Sequence, residues 1–261
     1  MRVPINFTNA MMSWIDAPRP VTVLAVNLPP SFERSPHLHN RCQLIHASKG
    51  ILNVTAPAGT WVVPPYRAVW IPLHVPHVVH TSTAVEARTV YIDPVGLPWL
   101  PQDCRVLNVR PLLRELILEA MKMPQLYPLG GREELLMNLL VREVAEASCG
   151  LGSLHLPEPK DRRLDPIVKA VLADPSDSRT RDDWAKIIGA SGRTIDRVFT
   201  TETGMSFGGW KHQAVLLESM RKLAEGQSVT NVAIDLGYEN LSAFIAMFKR
   251  AIGVTPNKLF K

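Results

Sequence analysis

The sequence predicts an α+β protein of several domains, with short strands in its first half and helices in its second. Nineteen of the 22 prolines precede residue 160. Proline breaks helix interiors but is tolerated at turns and sheet edges. Short runs rich in β-branched and aromatic residues recur between residues 21 and 93, whereas a helical pattern occurs twice near the C-terminus. These observations favour a β-rich N-terminal domain and an all-α C-terminal domain.

Residues 1–108 are predicted to form a small barrel or sandwich. The strand candidates are 21–26, 42–47, 51–55 and 89–92. Turn signals at 48–50 and 57–60 punctuate this region, because glycine and proline favour chain reversal. Several short strands at regular spacing are typical of a closed or two-layered sheet structure.

Two helices are predicted within residues 109–149. Pro111 suits the first turn of the first helix, whose apolar residues are Leu112, Leu113, Leu116, Ile117 and Ala120. The second helix runs from about Arg132 to Ser148, with an apolar face of Leu135, Leu136, Leu139, Leu140 and Val144. That face suits either a homodimer seam or packing onto the barrel. Residues 150–160, rich in glycine and proline, are predicted to be a linker.

Charge and cysteine content limit the classes of function. The net charge is +5, made up of +2 from residues 1–160 and +3 from residues 161–261, which permits nucleic-acid binding without demonstrating it. Cys42, Cys104 and Cys149 form no C-x-x-C pair, which argues against a disulfide framework or a cysteine zinc site. No apolar run approaches the ~20 residues of a membrane span, and no signal segment is recognisable. We therefore expect a cytoplasmic protein without membrane association.

A repeated pattern divides residues 161–261 into two similar units. Ala185 and Gly189 recur 48 residues later, at 233 and 237. Phe199 and Gly204 recur 49 residues later, at 248 and 253, and Thr255 takes the place of Ser206 at the same offset. A short helix, a glycine-containing turn and a second helix predict a helix-turn-helix unit at about 181–203 and another at about 229–252. Such units place a helix in the major groove of double-stranded DNA.

The second helix of the first unit carries a polar face. Ser191 is its predicted N-cap, and Ile195, Val198 and Phe199 are predicted to face inward. The predicted DNA-binding residues are Arg193, Thr194, Asp196, Arg197 and Thr200. Arginine pairs bidentately with guanine, and aspartate accepts a hydrogen bond from cytosine. The alternative is an ordinary solvated helix face.

The corresponding helix of the second unit, from about Asn240 to Ala251, is less polar. Its predicted DNA-facing residues are Leu241, Ser242, Ile245, Lys249 and Arg250. Leucine and isoleucine contact a thymine methyl but do not form the hydrogen bonds that separate G·C from A·T. Lys249 and Arg250 suit phosphates, which position a helix without reading sequence.

Residues 162–260 resemble the C-terminal domain of the AraC/XylS family of bacterial transcription regulators. The matching stretches are 201–207 (TETGMSF), 232–240 (VAIDLGYEN) and 242–256 (SAFIAMFKRAIGVTP). The resemblance implies two helix-turn-helix units that are held apart by one long helix and enter successive major-groove segments. Carried over by position, the readers are Arg193, Asp196 and Arg197, then Leu241, Ser242, Ile245 and Ala246. RNA polymerase is an implied partner.

Histidines in the first half resemble the two motifs of cupin barrels. The first motif is His37-Leu38-His39 with Gln43 and Gly50, and the second is 72–77 (PLHVPH). Two histidines two residues apart in a strand point to the same side. The resemblance implies that His37, His39, Gln43 and His77 hold a divalent transition metal such as Zn, Ni, Fe or Mn. The alternative is a polar pocket without metal.

A third stretch, 61–72 (WVVPPYRAVWIP), resembles the cupin-sensor branch of the same regulator family. Arg41, Gln43, Arg67 and Trp70 are the candidate effector-pocket residues, although a core position is the better prediction for tryptophan. The leading hypothesis is a sequence-specific transcription regulator, not an enzyme, whose barrel senses a small-molecule or metal effector. A metal-dependent cupin dioxygenase or isomerase with a helical appendage, and a bare protein-interaction module, are the alternatives.

Overall fold

The structure, a computed structural model, describes residues 14–147 and 154–259. Contacts divide these residues into two compact units. The first unit contains residues 14–57 and 61–147, and the second contains residues 154–259 together with 58–60.

The first unit is built on two antiparallel sheets. Its strands are β1 (Val21–Leu28), β2 (Glu33–His37), β3 (Cys42–Lys49), β4 (Leu52–Ala56), β5 (Gly59–Val63), β6 (Arg67–Ile71), β7 (His77–Thr81), β8 (Val85–Ile92) and β9 (Arg105–Asn108). One sheet has the order β1-β8-β3-β6-β9, and in the other β5, β4, β7 and β2 lie side by side. The two sheets confirm the predicted small barrel or sandwich of short strands, which we call the barrel.

Strand register sorts the side chains of the first sheet onto two faces. Gln43 pairs with Tyr91 on β8 and with Ile71 on β6, so these three share one face. Leu44, one residue on, pairs with Val90 and Trp70, which therefore lie on the opposite face because side chains alternate along a strand. This opposite face packs against the helices that follow the barrel.

Two helices cover that face, α1 (Pro111–Ala120) and α2 (Arg132–Glu146). Their buried residues join the core of the first sheet, namely Leu113, Leu116, Ile117, Ala120, Met137, Leu140, Val141 and Val144. The predicted apolar face of α2 is divided, because Leu140 and Val144 are buried while Leu135 is 69% and Leu139 is 45% exposed. Packing onto the barrel is thus confirmed for one edge of the face. The predicted end of this helix at Ser148 lies outside the described residues.

The second unit is helical, as predicted. A short strand, β10 (His155–Leu156), and a 3-10 turn (Arg162–Leu164) precede the helices. These are α3 (Asp165–Ala173), α4 (Arg181–Ile188), α5 (Gly192–Thr203), α6 (Phe207–Ala224), α7 (Val229–Asp235), α8 (Leu241–Ile252) and α9 (Pro256–Leu259). Helices α4 and α5 form the first helix-turn-helix unit, and α7 and α8 form the second.

The long helix α6 separates the two helix-turn-helix units. It contains 18 residues and is therefore about 27 Å long. Trp210 is buried, and its Nε1 donates to the Pro157 carbonyl at 2.7 Å. Near the other end, Lys222 forms an ion pair of 2.7 Å with Asp235 of α7. Both ends of α6 are therefore fastened within the unit.

The cysteines and the lengths of the helices bear on two further predictions. Cys42 is buried, Cys104 is half-buried, both are free thiols, and Cys149 lies outside the described residues. No helix between residues 14 and 147 or between 154 and 259 is long and apolar enough to cross a membrane.

Candidate nucleic-acid interface and metal cluster

Local hydrogen bonds define the turn of the first helix-turn-helix unit. Thr180 and Asp183 form a reciprocal capping box at the start of α4. Gly189 ends α4 with φ of +67°, a conformation that only glycine adopts without steric cost. Ser191 then caps α5 by accepting from the backbone N–H of Thr194 at 3.1 Å, so the recognition helix begins where the sequence predicts.

Helix α5 has a buried side and an exposed, basic side. Ile195, Val198 and Phe199 are buried, as predicted. Arg193, Arg197 and Thr200 are exposed at spacings that place them on one face of the helix. Among the described residues neither Arg193 nor Arg197 has a hydrogen-bond or ion-pair partner, so both guanidinium groups remain available to a ligand.

Asp196 is engaged within the domain. Its Oδ2 accepts from Arg181 of α4 at 2.9 Å, and its Oδ1 accepts from the backbone N–H of Phe207 at 3.1 Å. The N–H of Phe207 belongs to the first turn of α6, where backbone donors lack partners in their own helix. Asp196 therefore connects α4, α5 and α6. Thr194 is similarly occupied, because its hydroxyl lies 2.9 Å from that of Ser191.

The second unit repeats the backbone plan of the first. Ser228 caps α7 and Asn240 caps α8, the latter accepting from the backbone N–H of Ser242 at 2.7 Å. Gly237 lies in the turn with φ of +78°. Phe244 and Phe248 of α8 are fully buried, as predicted. The two units thus share caps, a left-handed turn glycine and an aromatic core.

The exposed face of α8 is mainly apolar. Leu241 is 38% exposed, Ser242 and Ala246 are exposed, and Ile245 is half-buried. Lys249 and Arg250 are exposed in the last turn, and neither has a hydrogen-bond or ion-pair partner in residues 154–259. This face offers apolar contact and two cations.

Three histidines meet at one end of β2 and β7. His37 ends β2, His77 begins β7, and His39 lies in the segment between β2 and β3. One ring nitrogen of each lies within 4.8 Å of the others. The Nε2 atoms of all three are buried and have no hydrogen-bond partner in the part of the chain that the structure describes. An unpartnered buried polar atom is costly, and three that converge indicate a ligand.

The other ring nitrogens explain why the Nε2 atoms suit a metal. His37 Nδ1 lies 2.9 Å from the Ser35 carbonyl, and His77 Nδ1 lies 3.0 Å from the Val75 carbonyl. A nitrogen that faces a carbonyl must carry the proton, so Nε2 keeps its lone pair. Burial, with neighbouring positive charge, lowers the pKa of His37 and the pKa of His39 to about 3. The imidazoles are neutral at pH 7, which is the form that binds metals.

Gln43 extends this cluster. Its Nε2 donates to the Tyr91 hydroxyl at 3.2 Å, while its Oε1 is buried without a hydrogen-bond partner in the described residues. The Tyr91 ring lies 5.0 Å from that of His39. Burial raises the pKa of Tyr91 to about 12, so its hydroxyl stays protonated. The three imidazole nitrogens form a donor set that fits a divalent transition metal, and the Gln43 side chain adjoins it through Tyr91.

Known proteins resemble both the C-terminal half of this chain and the chain as a whole. A family model described as a helix-turn-helix domain matches residues 184–261. The chain is 32% identical over 222 residues to the HTH-type transcriptional regulator NimR of Escherichia coli, covering 85% of this chain and 80% of that protein. The chain belongs to the AraC/XylS family. It is therefore a helix-turn-helix transcription regulator that binds DNA.

Other similarities are shorter or weaker. The HTH-type transcriptional regulator RipA of Corynebacterium glutamicum is 30% identical over 101 residues, which is 39% of this chain and 30% of that protein. Among solved structures, ToxT from Vibrio cholerae covers 93% of this chain and 98% of its own, with a TM-score of 0.39 and 11% identity.

The four candidate effector-pocket residues of this AraC/XylS regulator do not come together. Gln43 lies beside the histidines, whereas Trp70 is fully buried on the opposite face of the sheet, where its Nε1 donates to the Pro101 carbonyl at 2.9 Å. Arg41 donates to the carbonyls of Arg19 and Ala17. Arg67 is half-buried, and burial lowers its pKa. Alternation along β6 places Trp70 on the face opposite to Gln43, so the structure does not bring these two predicted pocket residues together.

Sequence reasoning missed two groups of residues in this regulator. Tyr91 and Arg34 adjoin the histidine cluster, and Arg34 is hydrogen-bonded to Tyr91. Arg181 pairs with Asp196 across 15 positions of sequence. Neither relation leaves a local pattern, because each depends on strand register or on helix packing.

Proposed function

We propose that this regulator reads base sequence mainly through its first helix-turn-helix unit and uses the second mainly as an anchor. The observation that carries the proposal is the difference between α5 and α8. Arg193 and Arg197 extend from α5 with no partner among the described residues. Arginine forms the commonest specific contact with guanine, through O6 and N7. Thr200 lies beside them on the same face.

The second unit contributes affinity. Lys249 and Arg250 are placed to meet phosphates, which fix register without carrying sequence information. The apolar side chains of Leu241, Ile245 and Ala246 suit thymine methyl groups, and the hydroxyl of Ser242 lies on the same face. We assign Asp196 to positioning instead of base contact, because both of its oxygens already accept hydrogen bonds inside the domain.

DNA footprinting tests the proposal that the first helix-turn-helix unit reads base sequence. Fragments flanking the regulator's own gene would be footprinted with the full chain at fixed salt and with excess non-specific competitor DNA. A discrete footprint that disappears with Arg193→Ala, while weak competitor-sensitive binding persists, is the expected result. Equal binding to unrelated fragments at every salt concentration would contradict it, since that is the behaviour of phosphate binding alone.

We further propose that the barrel holds a divalent transition metal as effector or as a structural part of the sensor. His37, His39 and His77 would supply imidazole nitrogens, and Gln43 an amide oxygen. A bound ion would join β2, β7 and the segment before β3, and so would stiffen that end of the barrel. An effector acts by binding one arrangement of the protein better than another.

Metal analysis tests this second proposal. The full chain would be loaded with Zn²⁺, Ni²⁺, Mn²⁺ or Fe²⁺, dialysed and assayed by mass spectrometry. Near-stoichiometric retention of at least one metal is expected, with loss in His37→Ala and in His77→Ala. The control is His80→Ala, which lies on the same strand β7 but outside the cluster. Retention in His77→Ala equal to that in His80→Ala would contradict the assignment.

A cupin enzyme is the less favoured alternative. The cavity lined by Arg34, Gln43 and Tyr91 beside the histidines has a volume of about 30 Å³. Small-molecule sites usually measure roughly 300–1,000 Å³, so this cavity admits only a few waters. The donor set is present, but this cavity is too small for an organic substrate.

Two protein partners belong to the same proposal. Leu135 and Leu139 stay exposed four residues apart on α2, an arrangement that suits a homodimer seam. Regulation of transcription further implies contact with RNA polymerase. Light scattering of the parent and of Leu135→Glu checks the dimer, which is expected to dissociate in the variant.

A further inference from the structure

A cleft on the outside of the barrel takes no part in the histidine cluster. It lies between α2, the start of β1 and the segment that follows β8, and its volume is about 750 Å³. That volume falls within the usual range of small-molecule sites. Its lining includes Arg19, Val21, Arg41, Asp93, Trp99 and Arg142.

The charge of the cleft is positive. Three arginines line it, at positions 19, 41 and 142, against one carboxylate, Asp93. The Asp93 carboxylate is itself engaged, since its Oδ1 accepts from the backbone N–H of Val95 at 3.0 Å. The cleft therefore presents an excess of guanidinium donors to any ligand that enters.

Arg41 is held in place by the backbone before β1. One terminal nitrogen donates to the carbonyl of Arg19 at 2.8 Å and the other to that of Ala17 at 2.9 Å, with a third contact to Pro20 at 3.4 Å. A guanidinium has five N–H donors, so these contacts immobilise the group while leaving donors unused. Such preorganisation favours a bidentate contact with a carboxylate.

Arg142 provides a second recognition element. Its guanidinium carbon lies 4.4 Å from the centre of the Trp99 ring, which is a cation–π contact. The side chain has no hydrogen-bond or ion-pair partner within residues 14–147 or 154–259. Trp99 is 36% exposed and Leu139 is 45% exposed, so an apolar surface lies beside free donors.

We propose that this outer cleft binds a small organic carboxylate with an aromatic or other flat apolar body. The carboxylate would pair with the arginines, and the apolar body would lie against Trp99, Leu139 and Val141. The cavity beside the histidines, at about 30 Å³, is too small for such a molecule, whereas the outer cleft accommodates it. The site is separate from the histidine cluster and does not depend on DNA binding.

Calorimetric titration of the full chain in the absence of DNA tests the site. The probes are benzoate and 2-naphthoate, each with its uncharged amide as the matched control. At least one acid is expected to bind about tenfold or more tightly than its amide, since hydrogen bonds to a charged group contribute that much. Arg142→Gln is expected to weaken acid binding by a similar factor without changing amide binding.

Arg132→Gln is the control variant, because Arg132 is an exposed arginine on the same helix and lies outside the cleft. Arg142 is exposed, so its replacement leaves the core intact, and circular dichroism checks the fold of both variants. Equal affinities for acid and amide, equal losses in the two variants, or no binding at millimolar probe would each overturn the proposal. The proposal would also be overturned if the acid bound only in dilute protein, at concentrations where light scattering shows that a dimer has dissociated. That result would mean that a second copy of the chain occupies the cleft. Failure of the DNA-reading proposal leaves these readouts unchanged.

Discussion

The two helix-turn-helix units share a backbone plan and differ in the surface they present. With the 49-residue offset, Phe199 aligns with Phe248, and both are fully buried. Arg193 aligns with Ser242, and Arg197 aligns with Ala246. Buried positions are held by packing, whereas the exposed face is free to vary. A structural repeat therefore does not imply repeated chemistry.

A fourth aligned pair, Asp196 and Ile245, shows that the units also differ in their contacts inside the domain. Asp196 of α5 accepts hydrogen bonds from Arg181 and from the first turn of α6. Its counterpart, Ile245 of α8, is half-buried and lines a shallow groove with Leu241. The first unit is thus tied to its neighbours by polar contacts at a position where the second unit uses an apolar side chain.

Removing the aligned core phenylalanines tests whether the two helix-turn-helix units share the same core, and it should change stability the most. Phe199→Ala and Phe248→Ala should each lower the free energy of unfolding of the helical unit by about 3–5 kcal/mol, because each leaves a cavity in a packed core. Urea unfolding followed by far-ultraviolet circular dichroism measures both. Thr200→Ala, which is exposed, should change little. A decrease in the free energy of unfolding well below about 1 kcal/mol for either variant would show that the two cores are not equivalent.

Asp196→Ala tests whether the polar contacts of the first unit stabilise the helical domain. It leaves an N–H of α6 without its acceptor and breaks a partly exposed ion pair, so the expected loss of stability is about 1–3 kcal/mol. The measurement is urea unfolding of the free protein, with Asp196→Asn as a variant that keeps an acceptor oxygen. If stability is unchanged and preference for one cytosine is lost, Asp196 reads a base and the positioning role is wrong.

Lys249→Ala has the smallest expected effect. If the second unit anchors through phosphates, the variant should bind all DNA sequences more weakly. The slope of log affinity against log salt should fall by about one. Fluorescence anisotropy at several salt concentrations, on matched and scrambled DNA, measures this slope. A change of base preference in this variant would show that α8 reads sequence through its lysine.

Local patterns explain how much of this molecule was predictable. The recognition helices were predictable because Ser191 and Asn240 are capping residues and the apolar period is helical. Strand alternation predicts that His37 and His39 share a side, and they do meet although His39 lies just after β2, whereas His77 is placed only by family resemblance. The partners of Asp196 lie 11 and 15 positions away and depend on helix packing.

The outer cleft was not predictable for a related reason. Its arginines come from the segment before β1, the residue just before β3 and helix α2, which are far apart in sequence. The sequence predicts Arg41 as an effector residue in a pocket with Gln43, Arg67 and Trp70, whereas the structure places it in the outer cleft. Its guanidinium is directed to the cleft by hydrogen bonds to the carbonyls of Arg19 and Ala17, and no local sequence pattern predicts such long-range contacts.

Selection of bound DNA from a randomised pool tests the central claim most directly. The parent, Arg197→Ala and Ser242→Ala would be compared at one salt concentration, and base preference scored at each position. If the first helix-turn-helix unit reads the bases and the second anchors, Arg197→Ala should lose the preference for one guanine, at a cost of about 1–3 kcal/mol. The base preferences at the other positions of the site should remain. Ser242→Ala should keep the parent's pattern. An unchanged pattern in Arg197→Ala, or a lost position in Ser242→Ala, would contradict the account.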